Sequence, residues 1–192
     1  MNHTANEQGH GGPSRLSRRH AIGLLAGAAV GMAFGRDAQA ASAIGVERRL
    51  SFVHTHTRET LDLVYAGATG YQAQSLTRVN EFLRDFRTSE VHIIDPKLLD
   101  LLHALSKSMK STEPFHVISG YRSPRTNAAL RAHSSAVAKY SLHMEGKAID
   151  IRVPGVALNT VRDSALGLAR GGVGYYPDSN FVHVDTGRVR VW

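Results

Sequence analysis

The run Ser141-Leu142-His143-Met144-Glu145-Gly146-Lys147-Ala148-Ile149-Asp150, followed later by His183-Val184-Asp185, holds the residues best suited to chemistry. Two imidazoles and one carboxylate form the ligand set that holds a catalytic zinc and leaves a fourth position open for water. Six residues separate His143 from Asp150, with Gly146 between them as a turn. A loop histidine can therefore fold back beside a carboxylate on the alternating run that follows. His183 lies on a second alternating segment, 181–185, able to lie next to the first. Any one of these residues alone reads as an ordinary core or surface side chain. Together, His143, Asp150 and His183 point to a metal centre. An aspartate in the set leaves the ion more electrophilic than thiolates would, which suits Lewis-acid hydrolysis.

The surrounding pattern says what must position them. Residues 48–57 alternate around Leu50, Phe52 and His54, and 60–65 around Leu61, Leu63 and Tyr65, which predicts two strands of a hairpin. Leu76, Val79, Phe82, Leu83 and Phe86 recur at helical spacing, predicting an amphipathic helix over 75–87. Asp95-Pro96 opens a second helix with an apolar stripe of Leu98, Leu101, Leu102, Leu105 and Met109. Strands are predicted at 115–119, 147–153, 181–185 and 188–192, the last two flanking a Thr186-Gly187 turn. A helix over 158–170 is expected to close on Gly171-Gly172. Helices early and strands late imply an α+β fold, a small antiparallel sheet with helices packed on one side.

The first 40 residues read as a targeting segment. Ser17-Arg18-Arg19 precedes a small-residue apolar run from Ala21 to Phe34, and Ala38-Gln39-Ala40 offers a cleavage site. The paired arginines suggest twin-arginine export to the periplasm. The run is too short and too rich in Gly and Ala for a convincing membrane span. That leaves 41–192 as one domain. The chain has 192 residues, no cysteine and a net charge of +7, so neither disulfides nor a lipidated cysteine can serve it. A basic surface suits a polyanion. No basic run with interleaved aromatics appears, which argues against nucleic acid.

Further motifs carry a resemblance. Ser119-Gly120-Tyr121-Arg122-Ser123-Pro124, Thr126-Asn127, Gly172-Val173-Gly174-Tyr175-Tyr176-Pro177 and Val191-Trp192 join the ligand motifs. In combination they resemble the YcbK-like murein endopeptidases, within the zinc peptidases that share the D-Ala-D-Ala carboxypeptidase and hedgehog fold. The resemblance implies a Zn2+ enzyme cutting peptide cross-links of peptidoglycan, possible targets being bonds between two meso-diaminopimelate residues. It also implies that Arg122 faces the substrate, that Ser141 shapes the ligand loop, and that Tyr121 and Tyr176 are candidates for contact with the peptide.

The general base is where the match departs. Many relatives carry an acid or histidine three positions before the last ligand, and here that position is Asn180. Asp185 on the same strand face, as base or as partner of an imidazole N–H, and His133 before the metal loop are the candidates, or the zinc-bound hydroxide needs little help. His54 and His56 read as polar strand positions and His103 as boundary packing. Two other functions stay open: a carboxypeptidase or dipeptidase on stem peptides, and a non-catalytic wall-binding module that keeps zinc for structure. A non-haem iron site is excluded, because no histidine follows His183 to complete the triad.

Overall fold

The computed structural model describes residues 47–134 and 137–192. The export segment and cleavage site expected at 1–40 lie outside the described residues. Along the chain come β1 (Arg48–His54), β2 (Thr60–Gly67), β3 (Gly70–Tyr71), α1 (Ala73–Phe82), α2 (Pro96–Met109), β4 (Phe115–Ser119) and α3 (Pro124–His133). A 3-10 turn (Leu142–Glu145), β5 (Ala148–Arg152), α4 (Leu158–Leu168), β6 (Gly172–Tyr176), β7 (Phe181–Asp185) and β8 (Arg190–Val191) follow. The strands form one sheet in the order β3-β2-β1-β4-β5-β7-β6-β8. The α+β class is as expected, and the sheet is larger than anticipated. Its pairings are antiparallel except for β1 with β4 and β6 with β8, which are parallel.

Strand periodicity sorts the sheet into two faces with different work. Phe115 and Val117 of β4, Ile149 and Ile151 of β5, and Val182 and Val184 of β7 are all buried in one apolar core. That core includes Leu98, Leu102 and Leu105 of α2 and Val161 and Ala165 of α4. The alternate residues, Asp150 on β5 and His183 and Asp185 on β7, share the other face. Register fixes this: Asp150 pairs across from His183, and His183 from Gly174. The hydrophobic core therefore lies against one side of the sheet while the polar chemistry gathers on the other.

Several elements differ from the expectations in instructive ways. α2 starts as predicted, with the Asp95 carboxylate accepting from the Lys97 N–H at 3.0 Å. α1 ends at Phe82 rather than 87, because the chain turns so that the Leu83 carbonyl accepts from the Tyr121 N–H at 2.8 Å. α4 ends on Ala169 in the left-handed region (φ 49°), and Gly172 already belongs to β6. The Thr186-Gly187 turn does not build a hairpin; β8 crosses to pair with β6. α3 and β6 were not anticipated as elements.

Candidate metal centre

His143 sits in the 3-10 turn, whose start is capped by the Ser141 hydroxyl accepting from the His143 N–H. Gly146 closes the turn at φ 64°, and a Cβ there would lie 2.1 Å from the Ile93 carbonyl oxygen, so only glycine fits. The turn thus drops His143 onto the strand pair carrying Asp150 and His183. Its Nε2 lies 3.2 Å from Asp150 Oδ1 and 3.1 Å from His183 Nδ1, and those two atoms are 2.9 Å apart. All three side chains are buried.

The partners on the far side of each ring decide what these atoms offer. His143 Nδ1 is 2.7 Å from the Gly120 carbonyl, which can only accept, so Nδ1 carries the proton and Nε2 presents a lone pair. His183 Nε2 is 2.9 Å from Asp185 Oδ2, so it donates there and turns the Nδ1 lone pair inward. Three acceptors therefore converge with no donor among them, an arrangement that a cation resolves. Their separations are close to the edge of about 3.3 Å that a tetrahedron of ~2.05 Å zinc bonds would have. Among the described residues this is the one cluster of three such groups able to hold a metal ion.

These close groups shift one another's titration. Burial opposes the charge on Asp150, yet His143 and then His183 hold its carboxyl well below the usual range. Burial lowers the His143 pKa. At His183 burial is outweighed by hydrogen bonds to Asp150 and Asp185, and the pKa is raised. Asp185 is held low because His183, Arg190 and the N–H groups of Gly187 and Gly172 outweigh its burial.

Each remaining candidate can be placed. Arg122 lines the cavity at the centre, with its guanidinium 3.6 Å from Asp150 Oδ2. Its backbone N–H donates to the His143 carbonyl, so arginine and ligand loop are tied together. Asp185 is wholly buried behind His183 and accepts from His183, Arg190, Gly172 and Gly187. It does not face the cavity, so of its two anticipated roles the geometry leaves that of imidazole partner and removes that of base. His133 is exposed at the end of α3 and does not line the metal cavity, so the geometry does not support it as a base. Asn180 occupies a left-handed turn position (φ 53°), which asparagine tolerates.

Tyr121 corrects an expectation: it stacks on His92 at 4.7 Å between ring centroids and does not line the cavity. In an extended stretch neighbours point to opposite sides, so Arg122 entering the cavity sends Tyr121 out of it. Ser141 and Tyr176 do line the cavity, whose volume is about 550 Å³. Tyr176 stacks on Phe181 and accepts from Trp192 Nε1 at 2.6 Å, and Trp192 in turn packs beside His183. Trp192 was legible only as part of a motif, not as a wall. Asn127 was similarly missed as a tether: its Nδ2 donates to the Ala138 and Lys139 carbonyls, holding the loop that forms the opposite wall.

Comparison with known proteins bears on the same residues. A family model described as peptidoglycan L,D-endopeptidase MepK matches residues 42–192. The peptidoglycan L,D-endopeptidase MepK of Escherichia coli K12 is 44% identical over 145 residues, spanning 76% of this chain and 80% of that protein. The probable peptidoglycan L,D-endopeptidase MepK of Haemophilus influenzae Rd is 45% identical over 147 residues, spanning 76% and 78%.

Proposed function

The chain belongs to this family of peptidoglycan L,D-endopeptidases, and we propose that it is a zinc-dependent hydrolase that cuts peptide cross-links of peptidoglycan in the periplasm. The observation that carries the reading is the convergence of three acceptor atoms, His143 Nε2, Asp150 Oδ1 and His183 Nδ1, at one wall of an open cavity. Zinc held there supplies Lewis acidity and lowers the pKa of a coordinated water toward ~7.

The chain's own residues do the rest. Asp185 and the Gly120 carbonyl hold the two imidazoles in the tautomers that face the ion. Arg122, largely buried and beside Asp150, donates to the scissile carbonyl oxygen as its negative charge grows on attack. Tyr176 and Trp192, linked by their hydrogen bond, form a rigid aromatic wall for the peptide. No carboxylate other than Asp150 lines the cavity among the described residues, so the attacking water acts without a dedicated side-chain base. The bond cleaved is one joining two meso-diaminopimelate residues, in keeping with the L,D-endopeptidase relatives.

A structural role for the metal fits less well, because the core is complete on the opposite face of the sheet. The deciding experiment is mass analysis of cross-linked muropeptides incubated with the zinc-loaded protein. Dimers should fall to monomers, and chelation should stop cleavage while circular dichroism stays unchanged. Intact dimers in the presence of bound zinc would refute the reading. Release of single terminal residues would convert it to a carboxypeptidase.

A further inference from the structure

Leu130 of α3 lines the metal cavity and also a second cavity of about 590 Å³, walled by α3 and the 87–90 loop. This second cavity carries Arg87, Arg125 and Glu90. Resting on the cross-link reading above, we propose that it is a subsite for the zwitterionic amino-acid head group of a substrate diamino acid. The head group's carboxylate is held between Arg87 and Arg125, and its ammonium by Glu90.

Both guanidiniums are exposed, and neither has an ion-pair partner among the described residues. Their backbones are nevertheless fixed by one group. Asp85, 1% exposed, accepts from the Arg87 N–H at 2.9 Å through one oxygen and from the Ser123 N–H at 2.9 Å through the other. Ser123 caps α3, and Arg125 lies in its first turn. The same carboxylate thus sets the loop bearing Arg87 and the helix bearing Arg125. Burial is outweighed by the Thr126 hydroxyl together with these N–H groups, which hold the Asp85 pKa down to about 2, so the clamp stays charged across the neutral range. The Arg87 guanidinium also lies over the Phe86 ring at 4.1 Å, which restricts its orientation. Two planar forks held in this way suit a carboxylate.

Glu90 would repel a simple anion, yet it suits a ligand bearing both signs. The diamino acid that gives its carbonyl to the cross-link through one centre keeps the other centre, with free amine and carboxylate, as such a head group. The shared Leu130 makes the two cavities neighbours, so the head group occupies the cavity next to the one that takes the cleaved bond.

The test compares zinc-loaded wild type with Arg87→Gln/Arg125→Gln on a cross-linked muropeptide dimer and on the same dimer with its free head-group carboxylate amidated. The expected result is a rise in KM of about tenfold in the variant with kcat within twofold. The amidated dimer should cost the wild type a similar factor and the variant almost nothing further. Glu90→Gln should weaken the native dimer and spare one acetylated at the free amine. Arg87→Lys/Arg125→Lys, keeping charge, should recover most of the loss, and thermal melts check the fold of each. If the double variant melts early, the single variants carry the comparison.

An unchanged KM, or equal loss on native and amidated dimers, overturns the subsite. Calorimetric titration of the native dimer into metal-free protein gives a readout without turnover. About tenfold weaker binding in the variant supports the subsite even if no bond is cut, and unaltered binding overturns it. Wild type that binds the dimer but never cleaves it would instead sink the cross-link reading.

Discussion

His54 and His183 end up buried on strands of the same sheet, and only one of them belongs to a site. His54 closes β1 with its Nδ1 accepting from the backbone N–H groups of His56 and Thr57 at 3.2 and 3.4 Å. The proton therefore sits on Nε2, which has no hydrogen-bond partner among the described residues, and the ring packs edge-on to Phe82 and Phe86. Burial there pushes the imidazole down to about 4. His183 has carboxylates on both sides, and its inward nitrogen meets two other acceptors. Burial does not make a histidine functional. What separates the pair is whether the outer nitrogen is spent on an acceptor that frees the inner one to bind a cation.

The sharpest way to break this contrast is to delete a ligand. His143→Ala should reduce cross-link hydrolysis by at least ~10³-fold and cut zinc occupancy, measured by elemental analysis, with melting little changed. Retained activity would remove the centre. Arg122→Ala should lower kcat by about 10²–10³-fold with zinc still bound, and unchanged kinetics would demote the arginine to a loop tether.

Asp185→Asn tests the outer nitrogen directly. Zinc affinity is expected to fall about 10–100-fold in competition with a chelator, while the cavity keeps its substrate contacts. The smallest effect belongs to His54. Its folded pKa lies below the ordinary 6.5, so between pH 6.5 and 4 the unfolded chain takes up a proton that the native state refuses. Stability should fall as pH drops through that window, by on the order of 1–2 kcal/mol once solvent screening is allowed for, and level off below it. Urea midpoints at pH 7.5 and 4.5 check this, and His54→Phe should flatten the difference.

The three residues that could hold a metal were readable because metal chemistry leaves few options for residue type and because period-two strands fix which residues share a face. α2 was readable because Asp95-Pro96 precedes an apolar stripe. Ser123-Pro124 opens α3 with the same capping chemistry, the Ser123 hydroxyl accepting from the Thr126 N–H. What hid α3 is its burial pattern: Thr126 and Asn127 are its buried residues, so no hydrophobic period appears. β6 was hidden for a different reason. Its glycines read as a break, yet a Cβ on Gly174 would come within 2.7 Å of the Trp192 ring, so the glycine is there to admit the indole. Tertiary demands of that sort leave no local trace. His54 misled for the same reason, since nothing near it in sequence announces Phe82 and Phe86.

The tight seat of Gly120 has a consequence for how this catalyst can be damaged. A Cβ at 120 would fall 2.6 Å from the Leu83 carbonyl oxygen, at the end of the α1 segment, and the Gly120 carbonyl is what orients His143. A single added methyl group there, touching no reacting atom itself, would be transmitted as a misaimed imidazole. Inactivating changes in this protein should therefore include some that look, by composition, like the mildest available.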